Sequence, residues 1–254
     1  MRLECRAGDP AGAVVARGFL EVLAPREKMR HELLDLPKVQ LRRDNRYLEL
    51  LKACEGLPAL GCAVVHPCSA DSLRGAVEAA EHQLITPILI GPEERIRSIA
   101  AQERLDLTPY RLVPAEHSHH SAELAVAMVL AGEAQTLMKG SLHTDELLAE
   151  VVKKVGGLRT ERRISHCFLL AVPTFPRPII ITDAAINIQP TLEDKRDIIQ
   201  NAIDLARAIG IAEPKVAILS AVETVTNKIP STLEAGALCK MADRGQITGG
   251  ILDG

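Results

Sequence analysis

The polar segment KGSLHT, residues 139–144, interrupts an otherwise aliphatic part of the chain. Lys139 offers a point charge to a phosphate group, and Gly140 lets the backbone approach a ligand closely. Ser141 and His143 add short polar groups. These residue types together predict a loop that binds an anionic ligand. A plain connection between a strand and a capped helix, with a lysine on the surface, accounts for the same residues.

The helix predicted after this loop restricts where an anion can bind. Thr144 is predicted to be its N-cap, which places Asp145 and Glu146 in the first turn. Their charges complement the helix dipole and repel a phosphate group placed on the helix axis. We therefore expect an anion to lie beside the loop and not on the helix end.

Two further polar segments follow apolar runs later in the chain. Asp183 and Asn187 flank the segment DAAIN after the run PIIIT, where Asp183 either orients a substrate or base or caps a turn. Ser220 and Glu223 lie at the corresponding place one unit later. Such loops bind ligands in many proteins, but they are also ordinary connections. Both interpretations stay open for these four residues.

The histidine-rich segment HSHH, residues 117–120, has the residue type of a metal site but not the pattern. No matched carboxylate or second histidine pair stands at ligand spacing, so a solvated or helix-capping cluster is preferred and no metal is predicted. The sequence also lacks GxGxxG after a strand, a P-loop and GxSxG. The dinucleotide, P-loop and hydrolase interpretations therefore lose their best support.

The elements that position these residues follow from the apolar pattern. From Gly61 onward, short apolar runs alternate with amphipathic stretches, which predicts successive βα units. The runs are rich in β-branched residues without alternation, so we expect strands buried on both faces of a mainly parallel sheet. Helices on both faces make the predicted fold class a three-layer α/β/α arrangement.

Three of the predicted helices begin with capping residues. Ser69 precedes a predicted helix over residues 70–81. Thr191 with Asp194 and Ser231 with Glu234 fit the capping-box pattern for two later helices. The remaining question is where the strands between these helices end.

Parallel sheets bind ligands outside the carboxyl ends of their strands, where the winding order reverses. Residues at the strand ends are therefore predicted to converge on one edge of the molecule. They are His66, Gly91, Lys139, Gly140, Ser141, His143, Asp183, Ser220 and Asp253.

The composition of the 254-residue chain bounds the class of protein. A hydrophobic content of 47% supports a core, while a net charge of −3 and 2% aromatic residues argue against binding of nucleic acid. No apolar run is long enough to span a bilayer, and the start MRLECRAGDP lacks a secretory signal. The six cysteines form no CxxC pair, so buried thiols in a cytoplasmic protein are expected.

The first 58 residues depart from the βα rhythm. Residues 1–24 alternate like an antiparallel strand, and residues 25–58 are charged and helical in character. The best helix candidate among them is LRRDNRYLELLKACEG. These features predict a remnant of another domain followed by a linker.

Several long motifs from residue 137 onward occur in the order found in one enzyme family. They are LMKGSLHTDELL, RRISHCFLL, ITDAAINIQPTLEDK, PKVAILSAVETV and IPSTLEAGALCKMADRGQITGGILDG. From about residue 60 the chain resembles the phosphate acetyltransferase and phosphate butyryltransferase family, and is most similar to the form fused behind a MaoC-type enoyl-CoA hydratase. The resemblance implies a hot-dog (MaoC-like) remnant over 1–30, a helical linker over 31–58 and a truncated transferase domain over 59–254.

The resemblance implies transfer of a short acyl group between coenzyme A and inorganic phosphate, with coenzyme A as a substrate and no cofactor. It implies the fold of isocitrate and isopropylmalate dehydrogenases, two α/β lobes with the site in the cleft between them, usually in a homodimer. By the matching motifs, Ser141, His143 and Asp183 are predicted to be catalytic. Residues predicted to bind substrate are Lys139, Gly140, Thr144, Asn187, Ser220 and Glu223.

The chain departs from the family pattern in two places. The family continues beyond the equivalent of ILDG with units that hold a Ser–Arg pair and an aspartate, so an incomplete C-terminus is expected. Leu147, Leu148 and Ala149 stand where acetyltransferases have an arginine, which leaves the acyl chain length open.

Two alternative functions stay open at this point. One is a catalytically silent fragment that keeps part of a CoA-binding surface or pairs with a separately encoded remainder. The other is a metal-dependent decarboxylating dehydrogenase of the same fold, for which only Asp183 and Asp253 are suitably placed.

Overall fold

Contacts between Cα atoms divide the chain into two units, residues 1–42 and 43–254. The first unit contains β1 (Arg2–Gly8) and β2 (Val14–Glu21), which pair antiparallel. This confirms the antiparallel character predicted for the start of the chain, while its assignment to a hot-dog domain stays a prediction. The computed structural model describes residues 2–8, 14–21, 46–172 and 175–254.

The second unit alternates helices and strands, which confirms the predicted βα units. Its first half consists of α1 (Arg46–Cys54), β3 (Leu60–Val65), α2 (Ala70–Glu81), β4 (Ile85–Gly91), α3 (Glu93–Glu103), β5 (Arg111–Pro114), α4 (Ser118–Leu130), β6 (Thr136–Lys139) and α5 (Thr144–Val151). Its second half consists of β7 (Phe168–Leu170), β8 (Ile179–Ile181), α6 (Leu192–Ala208), β9 (Lys215–Ala217), α7 (Pro230–Asp243) and β10 (Ile251–Asp253). Among the helices that the structure describes, none is long and apolar enough to cross a bilayer.

The main sheet is parallel throughout and has the strand order β5-β4-β3-β6. Alternate residues of β3 face opposite layers, because successive side chains on a strand point to opposite faces. Val65 belongs to a core cluster with Ala122 of α4 and Leu147 of α5. Val64 belongs to a second cluster with Leu73 of α2. This confirms the three-layer arrangement and explains the continuous apolar runs.

The second half of this unit has smaller sheets and a smaller core. Strands β7 and β8 pair antiparallel, whereas β9 and β10 pair parallel. The core cluster between α6 and α7 contains Ile199, Ile203 and Leu238. Burial on both faces, which the sequence predicts for every strand, is wrong here, since Phe168 is 50% exposed and Ile181 is 48% exposed.

The helix caps agree with the sequence pattern at two of these helices. Ser69 and Thr191 each accept a hydrogen bond from the backbone N–H three residues later, which confirms both predicted caps. The capping box predicted at Thr191 is also confirmed, and Ser69 forms one with Ser72. The capping box predicted at Ser231 is wrong. Helix α7 begins two residues earlier than predicted, at Pro230, because proline is well suited to the first helical position, and its N-cap is Ile229.

Candidate functional site

The carboxyl ends of β3, β4 and β6 are tied together by backbone hydrogen bonds. The His66 N–H donates to the Ile90 carbonyl over 2.8 Å. The N–H groups of Gly140 and Ser141 donate to the carbonyls of Val65 and His66, over 2.8 and 2.9 Å. The polar segment after β6 therefore lies directly against the end of the central strand, at the edge where parallel sheets bind ligands.

Gly140 is required for this close approach of β6 to β3. A Cβ atom at this position would lie 2.7 Å from the His66 carbonyl carbon, and closer still to two carbonyl oxygens. Close approach to the chain's own backbone is therefore a reason for glycine here that the sequence did not predict. Its predicted role in substrate binding stays a prediction.

The Ser141 hydroxyl holds the turn that follows β3. It donates to the His66 carbonyl and accepts from the Cys68 N–H, each over 3.1 Å. Its donor and one of its acceptor positions are therefore occupied by backbone groups. The structure gives Ser141 a positioning role, while its predicted catalytic role stays a prediction.

The Lys139 ammonium group lies over the carbonyls of its own loop. Its Nζ donates to the Leu142 carbonyl over 2.8 Å and to the Gly140 carbonyl over 3.3 Å. An ammonium group has three donors, so one N–H is left for an anion beside the loop. This position fits the prediction that an anion lies next to the loop.

The N-cap of α5 is His143, so the prediction that Thr144 caps this helix is wrong. Thr144 adopts helical geometry as the first residue of α5, and its side chain is exposed. Asp145 and Glu146 occupy the first turn, as predicted. A hydrogen bond from the Ser118 hydroxyl lowers the pKa of Glu146, which places an ionised carboxylate there at neutral pH.

Asp183 is the centre of a second polar cluster, after β8. Its carboxylate accepts the backbone N–H of His166 over 2.9 Å and that of Asn187 over 2.8 Å. The Asn187 side chain also donates to it. Burial raises the pKa of Asp183, but the hydrogen bonds from Asn187 and His166 outweigh burial, so its pKa is lowered.

Asn187 connects this cluster to the segment before β7. Its Nδ2 donates to the Ile164 carbonyl over 2.9 Å, and its Oδ1 accepts from Arg163 Nε over 2.7 Å. Arg163 is anchored in turn by its own backbone N–H, which donates to Asp197 over 2.9 Å. Asp183 and Asn187 are therefore held in fixed orientations, as groups that position a substrate must be.

Ser220 and Glu223, in the loop after β9, have fewer side-chain contacts than Asp183 and Asn187. The Ser220 hydroxyl lies 2.7 Å from the Ser231 hydroxyl at the start of α7. Glu223 is exposed, and within the described part of the chain no hydrogen bond or ion pair of its carboxylate is found. The predicted substrate-binding roles of Ser220 and Glu223 stay predictions.

An open groove of about 1030 Å³ lies among β8, β9, α6 and α7. Asp183 and Asn187 lie on its wall together with Ser231 and with Lys195 and Glu234, which form an ion pair. Strands β8 and β9 both line it, and they belong to different two-stranded sheets. Most of the remaining lining residues are aliphatic, so the groove combines polar groups with a large apolar surface.

The structure thus arranges the predicted site residues in two main clusters. His66, Gly91, Gly140 and Ser141 lie together at the main sheet, whereas Asp183 and Asn187 lie at the groove. Among the described residues, no hydrogen bond or ion pair joins the two clusters. Convergence of all strand ends on one edge therefore stays a prediction.

Sequence reasoning missed several residues that organise these clusters. Ser121, Arg163 and His166 contact predicted residues, yet lie 55, 24 and 17 positions away from them in the chain. Of these three, only Ser121 had a signal in the sequence, its position directly after the HSHH segment. Within that segment, His117 is the N-cap of α4 and accepts from the His120 N–H, as predicted for a capping cluster.

The dehydrogenase alternative requires a group of side chains that can bind a metal ion. Within residues 46–172 and 175–254, no group of three or more His, Cys, Asp or Glu side chains is arranged to hold a metal ion. Asp253, one of the two aspartates named for that alternative, accepts a hydrogen bond from the adjacent Gly254 N–H.

Comparison with known proteins identifies the class to which this arrangement belongs. Residues 116–254 match a family model described as phosphate acetyl/butaryl transferase. A phosphate acetyltransferase of Rhizobium meliloti is 59% identical over 210 residues, which are 83% of this chain and 66% of that protein. A phosphate butyryltransferase of Clostridium acetobutylicum is 39% identical over 182 residues, 72% of this chain and 60% of that protein.

Solved structures agree with the fold. A branched-chain phosphotransacylase from Enterococcus faecalis V583 superposes with a TM-score of 0.63 at 25% identity, covering 77% of this chain and 67% of that one. A phosphotransacetylase from Streptococcus pyogenes superposes with a TM-score of 0.66 at 17% identity, covering 82% and 73%. The chain belongs to the phosphate acetyl/butyryl transferase family. It spans 66% and 60% of the length of the two curated relatives named above.

Proposed function

We propose that this chain provides part of the active site of a phosphate acyltransferase, which moves a short acyl group between coenzyme A and inorganic phosphate. The observation that supports this most is the family match over residues 116–254, because that range contains the loop after β6 and the cluster around Asp183. Acyl-CoA and phosphate are then the substrates. No cofactor is proposed, since coenzyme A itself takes the acyl group.

The chemistry needs a base near the thiol, donors for the carbonyl oxygen and cations for the phosphate. The free N–H of Lys139 suits an anion beside the loop, and the anchored Asp183 and Asn187 suit orientation of a polar substrate. We propose His143 and Thr144, both exposed beside the same loop, as further contacts. Ser220 and Glu223 are proposed to contact substrate from the loop after β9.

Finer features of this proposal rest on the sequence resemblance. They are a two-lobed fold like that of isocitrate and isopropylmalate dehydrogenases, a cytoplasmic homodimer, and a hot-dog origin for the hairpin β1–β2 within residues 1–30, followed by a linker over 31–58. The hairpin supports the proposed hot-dog origin, because an antiparallel strand pair is compatible with the edge of such a domain.

Arsenolysis of acyl-CoA, read as release of free thiol, tests the proposed reaction. Arsenate replaces phosphate as the acyl acceptor, and the acyl arsenate then hydrolyses. We expect weak or absent release with residues 1–254, and arsenate-dependent release when the chain is joined to the segments of the Rhizobium meliloti relative that it does not span. Acetyl-CoA, butyryl-CoA and longer thioesters compared side by side would define the acyl chain length.

Two variants of the joined protein serve as test and control. Lys139→Ala should lower thiol release about tenfold or more, because it removes a cation from the proposed phosphate position. Lys153→Ala, which removes an exposed lysine paired with Glu150, should leave it unchanged. No turnover in the joined protein would favour the silent-fragment interpretation instead.

A further inference from the structure

The groove beside α6 and α7 is lined by two strands that each have a free edge. In the part of the chain that the structure describes, β8 pairs only with β7, and β9 pairs only with β10. Each strand therefore keeps one edge whose N–H and C=O groups have no strand partner. Edges of this kind are templates for pairing with another extended segment.

The groove runs along the edges of these strands and not over one face of them. Its lining includes all three residues of β8, Ile179–Ile181, and all three residues of β9, Lys215–Ala217. Successive side chains of a strand point to opposite faces, so a groove over one face would contact mainly alternate residues. The free edges of both strands therefore border the same space.

The hydrogen bonds of β9 show which of its backbone groups point toward the groove. The Ile218 N–H donates to the Asp253 carbonyl at the end of β10 over 2.8 Å. Backbone groups of alternate residues point to the same edge of a strand, so those of Val216 also point toward β10. The backbone groups of Lys215 and Ala217 then point to the opposite edge. Among the described residues, neither N–H has a backbone hydrogen-bond partner on another strand.

Apolar side chains lie both inside the groove and on its rim. Helix α6 contributes Ile199 and Ile203, and helix α7 contributes Leu238. On the rim, Ile188 is 97% exposed and Leu219 is 87% exposed. A contiguous apolar surface that is open to solvent marks an interaction site.

The free backbone groups decide which kind of occupant fits this surface. A small apolar ligand could cover the aliphatic side chains, but it would leave the N–H groups of two strand edges unpaired. An extended polypeptide carries donors and acceptors along both of its edges, so it can pair with both strands at once. Such a segment is available in the relatives, because this chain spans only 66% and 60% of the length of the two named above.

We propose that the groove is the docking site for one extended polypeptide segment, which pairs with β8 along one edge and with β9 along the other. The segment comes from the part of the relatives that this chain does not span. Its docking joins the two small sheets into one sheet of five strands. Alternate side chains of the segment face α6 and α7 and are apolar. This docking does not depend on which reaction the protein catalyses.

Hydrogen exchange of backbone amides, followed by nuclear magnetic resonance, tests the docking. The 254-residue chain is compared with the same chain joined to the segments of the Rhizobium meliloti relative that it does not span. We expect the N–H groups of Lys215 and Ala217 to exchange at least about tenfold more slowly in the joined protein, because they gain acceptors. The Ile218 N–H, which is bonded to β10 in both proteins, is the internal control and should change less.

Each outcome of the exchange experiment supports the docking or overturns it. Slowing at Lys215 and Ala217 that exceeds the slowing at Ile218 supports it. Equal rates in the two proteins, or equal slowing at all three positions, would overturn it. Slow exchange that appears in the 254-residue chain alone as its concentration rises would assign the groove to a second copy of this chain, which also contradicts the proposal.

A pair of proline variants gives an independent readout. Ala217→Pro removes an N–H that has no partner in the 254-residue chain, and proline is tolerated at such an edge position. It should therefore leave the melting temperature of that chain nearly unchanged and lower that of the joined protein by roughly 3 °C or more. Val216→Pro, which removes an N–H that points toward β10, should destabilise both proteins. Equal effects of Ala217→Pro in the two proteins would refute the docking.

These measurements are separable from the test of the proposed reaction, because neither of them uses activity. A joined protein that releases thiol but leaves the amides of Lys215 and Ala217 in fast exchange would overturn the docking alone. A joined protein with slowed amides and no acyl transfer would overturn the proposed function and leave the docking standing.

Discussion

At the scale of single residues, Gly140 shows how tightly the proposed loop is joined to the main sheet. Any Cβ atom there meets the backbone of Val65, the last residue of the buried central strand, and of His66, and this packed backbone has little room to move. Because backbone atoms cannot rotate away as a side chain can, replacing Gly140 should lower the stability of the fold.

Gly140→Ala should lower the free energy of unfolding by roughly 1 to 3 kcal/mol through overpacking. Gly236→Ala is the matched control, since Gly236 lies inside α7 with open space where its Cβ would be. It should raise stability by about 0.5 to 1 kcal/mol, because alanine favours helix. Urea unfolding of both variants measures the difference, and equal effects would show that the β3–β6 approach is not as close as described.

The hydrogen bonds to Asp183 make a second prediction at this scale. Because they lower its pKa in the folded state, the stability they provide is present above the unfolded pKa and is lost as pH falls through the folded value. Asp183→Asn should cost roughly 1 to 2 kcal/mol at neutral pH, since backbone donors lose a charged acceptor. It should also weaken the loss of stability toward acid pH.

The control for Asp183 is Asp243→Asn, an exposed residue bonded only to Lys240 among its described neighbours. It should change the unfolding free energy by less than about 0.5 kcal/mol. Unfolding measured from pH 7 to pH 3 distinguishes the two, and identical pH dependence in both variants would contradict the assigned network.

Residue types at the strand ends could be predicted from the sequence, but their partners could not. The apolar runs predict where β3 and β6 end, so His66, Lys139 and Ser141 were expected at one sheet edge. The Ser141 hydroxyl, however, bonds the Cys68 N–H 73 positions earlier. Nothing in local periodicity encodes such a contact, because it depends on which strands become neighbours.

At the scale of elements, helix starts depend on backbone geometry as well as residue type. A cap needs an extended residue whose side chain reaches back to the first turn, and Ser69 and Thr191 satisfy both conditions. Thr144 has the residue type but adopts helical geometry one position after His143. A shift of two residues in the same direction, from Ser231 to Ile229, accompanies Pro230 at the start of α7.

This difference predicts unequal effects of removing the two hydroxyls. Ser69→Ala should destabilise the protein by about 1 kcal/mol, because the N–H of Ser72 loses its acceptor. Thr144→Ala should be neutral or slightly stabilising, since alanine is the better helix former at an exposed first-turn position. Thermal melting checks both, and a larger loss at Thr144 would place the cap where the sequence predicted it.

At the scale of the whole molecule, the groove beside α6 and α7 is a largely apolar surface of the second unit that is open to solvent. Strands β8 and β9 line it without pairing with each other, and most of its lining residues are aliphatic. Apolar area left in water lacks the stabilisation that burial provides, so the groove should bind apolar molecules.

A fluorescent apolar dye such as anilinonaphthalene sulfonate should therefore bind the 254-residue chain at this groove. Ile181→Lys, at the exposed edge of β8, should weaken dye binding roughly tenfold, since one isoleucine side chain contributes about 1.5 kcal/mol when buried. Leu130→Lys, also exposed but at the end of α4, is the control and should leave binding unchanged. Equal loss in both variants would place the dye elsewhere.

The fold class and the main sheet were easier to predict from the sequence than the burial of the two smaller sheets. Continuous β-branched runs are the sequence pattern of buried parallel strands. The strands of the four-stranded sheet could therefore be predicted from the sequence. The small sheets β7–β8 and β9–β10 have equally apolar runs but exposed faces. Periodicity alone cannot tell these situations apart, because burial depends on what covers the strand.

The most direct measurement of the central claim is the stoichiometry of acyl transfer from acyl-CoA in the chain joined to the relative's remaining segments. The account predicts that thiol release requires phosphate and that one acyl phosphate forms for each coenzyme A released. Thiol release that proceeds equally well without phosphate would mean hydrolysis of the thioester by water, and would contradict the assignment of a phosphate acyltransferase.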